Sequence, residues 1–278
     1  MPVQQIKNTV MKELMGILNI NNESFFEDSR CTNEEMAIKR IEEMYKLGAD
    51  IIDLGGCSTR PGSIPVSQEQ EWEYLKPVLS LLPSGRPYKI SIDTFYSRTV
   101  ELADDIIGEF IVNDISAGED DPKMLPIVEK LKLPYIVMHK RGTPSTMQQM
   151  CNYPNGVVNE VVRYFKEFEK RAAGYGITDY IVDPGLGFAK TVEQNYELLC
   201  STGKIKSELG RKILIGLSRK GMIWKLLGTN PAEALCGTVA LNLLALVRGA
   251  DIIRVHDVKE GAETIKLAHA VIEADRRL

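Results

Sequence analysis

Residues 88–94 read Tyr-Lys-Ile-Ser-Ile-Asp-Thr, a short apolar run that ends on an acidic residue. Runs of this length recur along the whole chain, separated by segments whose apolar residues have helical spacing. Strand-length runs that alternate with amphipathic helices are typical of parallel strands joined by helical crossovers. The eight predicted strands are residues 14–19, 50–54, 88–93, 110–113, 135–138, 180–183, 212–217 and 251–255.

The number of strands distinguishes between two α/β architectures. Eight strands in 278 residues give roughly 35 residues per strand-plus-helix unit, close to the repeat of a (β/α)8 TIM barrel. The alternative, a doubly wound open sheet, usually carries a glycine-rich turn after its first strand. Here residues 19–23 read Asn-Ile-Asn-Asn-Glu. We therefore predict an α/β fold with one TIM-barrel domain over residues 1–278.

Local signals predict the helices between the strands. Thr32 and Glu35 form a capping-box pattern, and apolar spacing extends this first helix to residue 47. The helix at 232–248 is apolar on more than one face, which predicts either a subunit interface, and so a homodimer, or burial beneath its neighbours. The other predicted helices are residues 67–82, 95–107, 123–131, 157–175, 192–201, 219–227 and 258–276.

The composition is that of an ordinary soluble globular protein. The chain has 34 Lys and Arg against 38 Asp and Glu, a formal net charge of −4, and no long basic tract. This balance argues against nucleic acid as a partner. The five cysteines are scattered without a C-x-x-C pair, so we expect free thiols and a reducing, cytoplasmic location. The chain shows neither an apolar stretch of membrane-spanning length nor a signal peptide, and no membrane partner is expected.

Polar residues stand at the ends of the apolar runs. In a parallel barrel these strand ends lie on the C-terminal face, where the loops converge, so the residues are expected to form one composite site. Any single one of them has an equally good alternative role as a helix cap or turn residue. The strand-end residues are Asn19, Gly55, Gly56, Asp93, Asn113, Asp114, His139, Asp183, Ser218, Arg219, Lys220, Arg254 and His256.

Two kinds of anion-binding signal are present. Arg254 and His256 are spaced by two and share a face of the last strand, and a buried arginine needs an anionic partner. Residues 58–62, Ser-Thr-Arg-Pro-Gly, offer hydroxyls and a guanidinium. Residues 218–221, Ser-Arg-Lys-Gly, open a predicted helix whose N–H groups favour a carboxylate or phosphate. Neither segment is specific on its own.

The remaining candidates leave several chemistries open. Asp93 and Asp183 suit the donor edge of an amidine-like ligand, but paired acid–base work or metal ligation would use the same residue types. Phe188 follows a glycine-permitted loop and is suited to stack on a flat ring or to pack internally. For His139 we expect a structural role near the barrel rim.

Taken in order, the motifs resemble those of the dihydropteroate synthases from about residue 14 to residue 260. The matching segments are residues 15–19, 53–56 with 58–62, 91–94, 112–114, 138–139 with 141–144, 183–185 with 187–188, 218–220 and 254–256. The resemblance implies a barrel enzyme of folate synthesis. It would condense 6-hydroxymethyl-7,8-dihydropterin pyrophosphate with para-aminobenzoate to give 7,8-dihydropteroate and pyrophosphate. The resemblance also implies a homodimer.

Roles for individual residues follow from the same resemblance. Asp93, Asn113, Asp183 and Lys220 would hold the pterin, and Arg254 would lie against its ring and face the pyrophosphate. Asn19 resembles the family's contact to Mg²⁺, the implied cofactor. The residues expected at the diphosphate are Thr59, Arg60 and His256, and those expected around the aminobenzoate are Pro61, Phe188, Ser218 and Arg219.

The implied chemistry needs no protein nucleophile. The bond to pyrophosphate breaks first, cationic groups and Mg²⁺ accept the growing negative charge, and a pterin-methyl cation forms. Asp93 then faces positive charge, and the neutral aromatic amine attacks. The catalytic set under this mechanism is Asp93, Lys220, Arg254 and His256.

Two departures from the family pattern fall in loops expected to close over the aminobenzoate. Residues 21–23, Asn-Asn-Glu, replace a stretch that usually contains proline, and Cys57 replaces a common glutamate. These two departures therefore bear on how the loops close over the aminobenzoate and on the geometry of the metal site.

Three other functions compete with this interpretation. A pterin-dependent methyltransferase acting on a corrinoid protein shares the barrel but has no use for diphosphate contacts. A Schiff-base aldolase would need a lowered pKa at Lys220, which the adjacent Arg219 favours. A non-catalytic pterin-binding protein would bind the pterin diphosphate without turnover.

Overall fold

The computed structural model describes residues 12–20, 33–56, 66–143 and 146–277. All eight predicted strands are present, and the predicted TIM barrel is confirmed. The strands are β1 (Glu13–Asn19), β2 (Ile51–Gly55), β3 (Lys89–Asp93), β4 (Ile111–Asp114), β5 (Tyr135–Met138), β6 (Ile181–Asp183), β7 (Leu214–Ile215) and β8 (Ile252–Val255).

The strands form one parallel sheet in the order β6-β5-β4-β3-β2-β1-β8-β7. An isolated parallel bridge between Val182 and Ile213 joins β6 to β7 and closes the ring. Residues along each strand alternate between two apolar layers. Met15, Ile51 and Ile252 belong to a small cluster inside the barrel. Leu14 and Leu18 belong to the larger core between the strands and the helices.

Ten α-helices surround the described strands. They are α1 (Asn33–Lys46), α2 (Gln68–Leu81), α3 (Ser97–Ile107), α4 (Met124–Leu131), α5 (Val157–Ala173), α6 (Val192–Cys200), α7 (Thr202–Leu209), α8 (Gly221–Leu227), α9 (Leu235–Val247) and α10 (Val258–Asp275). Gly16 lets two of these helices approach β1, since a Cβ there would lie 2.4 Å from the Met44 side chain of α1 and 2.9 Å from Val258 of α10. None of the described helices is long and apolar enough to cross a membrane.

The structure corrects three local predictions. Helix α7 was not predicted, because Gly203 and the charged residues after it leave only two apolar side chains in eight positions. Helix α8 begins at Gly221 and not at Arg219, whose φ of 54° is left-handed and cannot belong to an α-helix. Strand β7 is shorter than the predicted run 212–217.

Candidate active site at the C-terminal mouth of the barrel

Strand register brings the predicted polar residues to one level of the barrel. Asn19 of β1 pairs with Gly55 of β2, Gly55 pairs with Asp93 of β3, and Asp93 pairs with Asn113 of β4. Because these residues lie at or next to the C-terminal ends of their strands, they surround the same mouth of the barrel. Residues separated by up to 94 positions in the sequence are thus neighbours in the fold.

Arg254 of β8 is held between two carboxylates at this mouth. Its Nε donates to Asp53 Oδ2 at 2.7 Å, and its Nη2 donates to Asp93 Oδ2 at 2.8 Å. Asn113 Nδ2 also donates to Asp53 Oδ2, at 3.1 Å. Asp53 is fully buried, and its second oxygen, Oδ1, has no hydrogen-bond partner among the described residues. The anionic partners that a buried arginine requires are therefore Asp53 and Asp93.

Asp183 and Lys220 line the opposite part of the mouth. An ideal Cβ built on Gly216 would lie 3.9 Å from Asp183 Oδ2, 3.9 Å from Lys220 Nζ and 3.8 Å from Arg254 Cβ. These three side chains therefore surround one small space, which the absence of a side chain at Gly216 leaves open. Lys220 Nζ donates to the carbonyl of Leu186 at 2.5 Å and lies 4.9 Å from the centre of the Phe188 ring.

Burial shifts the pKa values of Asp93, Asp183 and Lys220 toward neutrality. It raises the pKa of Asp93 to about 7, an effect that Arg254 opposes and Asp53 reinforces. Burial also raises the pKa of Asp183, against the effect of Lys220. The pKa of Lys220 falls to about 8 because burial outweighs the attraction of Asp183. Burial disfavours the charge of Arg254 too, but Asp53 and Asp93 raise its pKa above the usual value.

A second group lies after β7 and β8. Ser218 Oγ accepts a hydrogen bond from the backbone N–H of His256 at 3.2 Å and lies 3.1 Å from His256 Nδ1. Arg219 donates from Nε and Nη2 to both oxygens of Asp257 at 2.9 and 2.8 Å, and from Nη1 to the carbonyls of Pro231 and Ala232. The guanidinium of Arg219 is thus bound within the protein by a partner, Asp257, that the sequence did not identify.

Some predicted site residues lie outside the described part of the chain, namely Thr59, Arg60 and Pro61. Asn19 ends β1 at the level of the site. Among residues 12–20, 33–56, 66–143 and 146–277, no group of three or more His, Cys, Asp or Glu side chains is arranged to hold a metal ion.

Three further buried polar residues were not predicted as part of the site. Asp53 could have been found, since it is the one charged residue in the run Ile-Ile-Asp-Leu-Gly. Glu71 of α2 is fully buried, where Thr94 and Thr99 each donate to its Oε2 at 2.7 Å. Lys190 is 3% exposed and lies against the predicted loop 183–188. Nothing in the local sequence distinguishes Glu71 or Lys190 from a surface charge.

Known proteins resemble this chain in both sequence and fold. The sequence pattern that defines the family of pterin-binding enzymes matches residues 15–256. The dihydropteroate synthase of Synechocystis sp. is 40% identical over 261 residues, which cover 93% of this chain and 89% of that protein. The chain belongs to the dihydropteroate synthase family.

Other members of the family show how far the likeness extends. The folic acid synthesis protein of Schizosaccharomyces pombe is 38% identical, but the match covers only 36% of that longer protein. A structure of Xanthomonas albilineans dihydropteroate synthase with 4-aminobenzoic acid superposes with a TM-score of 0.85, at 34% identity over 94% of this chain and 93% of that one. A Yersinia pestis dihydropteroate synthase in a sulfonamide complex gives a TM-score of 0.87 at 31% identity, covering 98% and 99% of the two chains.

Proposed function

We propose that this family member joins 6-hydroxymethyl-7,8-dihydropterin pyrophosphate to para-aminobenzoate, forming 7,8-dihydropteroate and releasing pyrophosphate. The observation that carries this proposal is the cluster of Asp53, Asp93 and Arg254, with Asp183 and Lys220 at the same mouth. Its carboxylates can accept hydrogen bonds from the amino-pyrimidine edge of a pterin, and its cations can receive a diphosphate. The aminobenzoate bound to the Xanthomonas enzyme supports the second substrate.

The residues divide between the two substrates. Asp93, Asn113, Asp183 and Lys220 would hold the pterin edge, with Arg254 against the ring. Thr59, Arg60 and His256 would bind the diphosphate. The aminobenzoate would lie beside Phe188, Pro61, Ser218 and Arg219. Because the guanidinium of Arg219 is bound to Asp257, we propose that Arg219 shapes this pocket through its fixed backbone turn and not through a mobile charge.

The proposed reaction is dissociative. The C–O bond to the diphosphate breaks before the new C–N bond forms, and a pterin-methyl cation results. The carboxylate of Asp93 stabilises that positive charge, while Arg254 and His256 face the departing diphosphate. The neutral amine then attacks the methylene carbon and afterwards loses a proton. No covalent bond to the protein is formed, so rate acceleration comes from positioning and electrostatics.

Mg²⁺ is the metal that the family implies. The side chains near the site can be compared with the ligands that Mg²⁺ prefers. An asparagine oxygen such as that of Asn19 is a hard donor, and Mg²⁺ commonly binds through one or two protein ligands, substrate phosphates and water. These residues fit an ion that arrives with the diphosphate and contacts Asn19, but not an ion held by the described protein residues alone. When bound, it would neutralise charge on the leaving group.

Release of pyrophosphate tests the proposed function directly. Purified protein should release pyrophosphate only when the pterin diphosphate, para-aminobenzoate and Mg²⁺ are all present, and chelation should stop the release. Tight binding of the pterin diphosphate without turnover would instead indicate the non-catalytic alternative. Methyl transfer to a corrinoid protein would indicate the methyltransferase.

We further propose a homodimer formed through consecutive packed helices. Leu226 and Leu227 of α8 are 64% and 57% exposed. Other exposed apolar side chains on the next two helices are Val247 of α9 and Leu267 and Val271 of α10. Sedimentation should show a dimer that Leu226→Glu weakens. The matched control, Leu81→Glu at an exposed leucine of α2, should leave it intact. A monomeric wild-type protein would contradict the proposal.

The thiols are consistent with a cytoplasmic location, which we also propose. Cys200 and Cys236 form no disulfide bond, which supports a reducing compartment.

A further inference from the structure

Lys190 is a buried lysine that the proposed reaction does not use. It is 3% exposed, and its Nζ lies 2.8 Å from the carbonyl of Gly185, 2.8 Å from the carbonyl of Phe188 and 3.0 Å from His139 Nδ1. An ammonium group has three protons, and these three close acceptors can receive them, while the carbonyl of His139 lies farther away at 3.5 Å. Among the described residues, no carboxylate lies within ion-pair distance of this nitrogen. A buried cation whose close acceptors are neutral is an expensive arrangement, and burial lowers the pKa of Lys190 to about 7 although the charge of Asp183 opposes that shift.

The segment that Lys190 holds carries Asp183, a proposed pterin residue, and Phe188, a proposed aminobenzoate residue, and it contacts the proposed pterin residue Lys220. The bonded carbonyls of Gly185 and Phe188 flank Leu186, whose own carbonyl accepts from Lys220 Nζ. The backbone N–H of Gly185 donates to Asp183 Oδ1 at 2.8 Å. One ammonium group therefore fixes the loop that orients Asp183, supports Lys220 and carries the Phe188 ring.

The backbone of this loop needs such a constraint. Gly185, Gly187 and Ala189 have φ values of 72°, 88° and 52°, and the left-handed region is unfavourable for Ala189. Tyr153 donates its hydroxyl proton to the carbonyl of Ala189 at 3.0 Å, a second bond that holds the strained turn. Strained backbone persists where surrounding bonds over-determine it, and it is common at functional sites.

His139 supplies the third acceptor and ties Lys190 to β5. The imidazole is 2% exposed, and burial lowers its pKa well below the usual value. A neutral imidazole that accepts at Nδ1 must carry its proton on Nε2. The backbone N–H of His139 also donates to the carbonyl of Asp183 at 3.1 Å. The structural role expected for His139 agrees with these contacts.

We propose that Lys190 is a positioning residue for the pterin site. Its ammonium group binds the 183–188 loop and the Nε2–H tautomer of His139 together, and so fixes the position of the loop. This inference rests on the proposed function only in naming the ligand as a pterin. Lys190 touches neither substrate. Its effect on the pterin passes through Asp183 and Lys220, whereas Phe188 is the one proposed aminobenzoate residue on the loop. Its loss should therefore weaken pterin binding more than binding of the aminobenzoate.

The first test compares Lys190→Met with a matched control. Lys12→Met removes another poorly exposed lysine that donates to a backbone carbonyl, that of Ala250, but near the start of β1, away from the site. Fluorescence titration with 6-hydroxymethylpterin should give a Kd raised by about tenfold or more for Lys190→Met, since charged hydrogen bonds are lost around the loop. Lys12→Met should change that Kd by less than about twofold, because additivity holds for distant sites. Equal Kd values for wild type and Lys190→Met would overturn the proposal.

The second test needs no variant of Lys190 and so does not depend on its folding. The chain has three histidines, and ¹⁵N-histidine labelling with His139→Gln for assignment isolates the resonance of His139. We expect a neutral ring protonated on Nε2, whereas an Nδ1-protonated ring would refute this arrangement. Both readouts are independent of turnover. A protein that binds pterin and shows this tautomer but releases no pyrophosphate would refute the proposed reaction and leave the role of Lys190 standing.

Discussion

Replacing Gly185 with alanine should lower the stability of the protein more than the same replacement in an ordinary left-handed turn does. It should also weaken pterin binding. Gly185 has a φ of 72°, and a Cβ at this position would lie 2.0 Å from the carbonyl oxygen of His139. Real Cβ atoms do not approach closer than 3.0 Å, so the backbone must move by about 1 Å or more. That movement separates Gly185 from both Lys190 and Asp183.

The magnitude follows from two contributions. Forcing alanine into the left-handed region costs about 1–2 kcal/mol. Losing one charge-assisted bond and one bond to a carboxylate adds about 3 kcal/mol to that cost. Gly210 provides a matched control, because its φ is 62° and a Cβ there would meet nothing within 4 Å. Gly210→Ala should therefore show the backbone contribution alone.

The assay compares the two variants by urea unfolding, by calorimetry and by pterin titration. Gly185→Ala should unfold with a Tm lower than that of Gly210→Ala by about 6–12 °C, given roughly 2–4 °C per kcal/mol for a chain of this size. Only Gly185→Ala should lose affinity for 6-hydroxymethylpterin. If both variants lost the same stability and Gly185→Ala bound pterin like wild type, the loop would not be clamped as described.

Two substitutions, a pH profile and an inhibitor test the site and its surroundings. Asp93→Asn should lower kcat by about 100-fold or more while changing pterin Kd little, because the carboxylate acts mainly on the cation; equal losses would contradict this. Since the pKa of Asp93 is about 7 and the reaction needs its ionised form, kcat should rise with pH through about 7 in wild type and not in the variant. Burial raises the pKa of Glu71 from 4.5 to about 7, so the folded wild-type protein loses stability as the pH rises between these values. Glu71→Gln should therefore stabilise the protein by roughly 3 kcal/mol more at pH 8 than at pH 4. A difference in urea unfolding that does not depend on pH would refute this prediction. A sulfonamide should inhibit pyrophosphate release competitively with para-aminobenzoate, and an unchanged rate at saturating drug would count against the predicted aminobenzoate pocket.

The barrel could be predicted because its signal is local and repeated. Each strand is a short apolar run that is buried on both sides, and each ends where a polar residue meets the mouth. The same rule located Asp93, Asn113 and Asp183, whose positions at strand ends are enough to bring them together. Arg254 was found because a cation inside an apolar strand requires an anion.

The residues that the sequence did not reveal owe their roles to distant partners. Glu71 lies in the run Gln-Glu-Gln-Glu, typical of an exposed helix start, and is buried because Thr94 and Thr99 supply hydroxyls from 23 and 28 positions away. Lys190 binds backbone carbonyls, which no side-chain pattern marks. The left-handed turn at Arg219 likewise depends on its bonds to Asp257, 38 residues later in the chain.

The way in which the ring closes links ligand binding to the integrity of the barrel. Among the described residues, β6 and β7 are joined by one isolated bridge, whereas every other neighbouring pair has at least two paired positions. Asp183 ends β6, and Lys220 follows β7 by a few residues. A molecule bound by both Asp183 and Lys220 would connect β6 and β7, the neighbouring strands with the fewest paired residues among those described. Amide protons beside the junction of these strands should exchange with solvent more slowly once the molecule is bound, because binding stabilises the contact between β6 and β7.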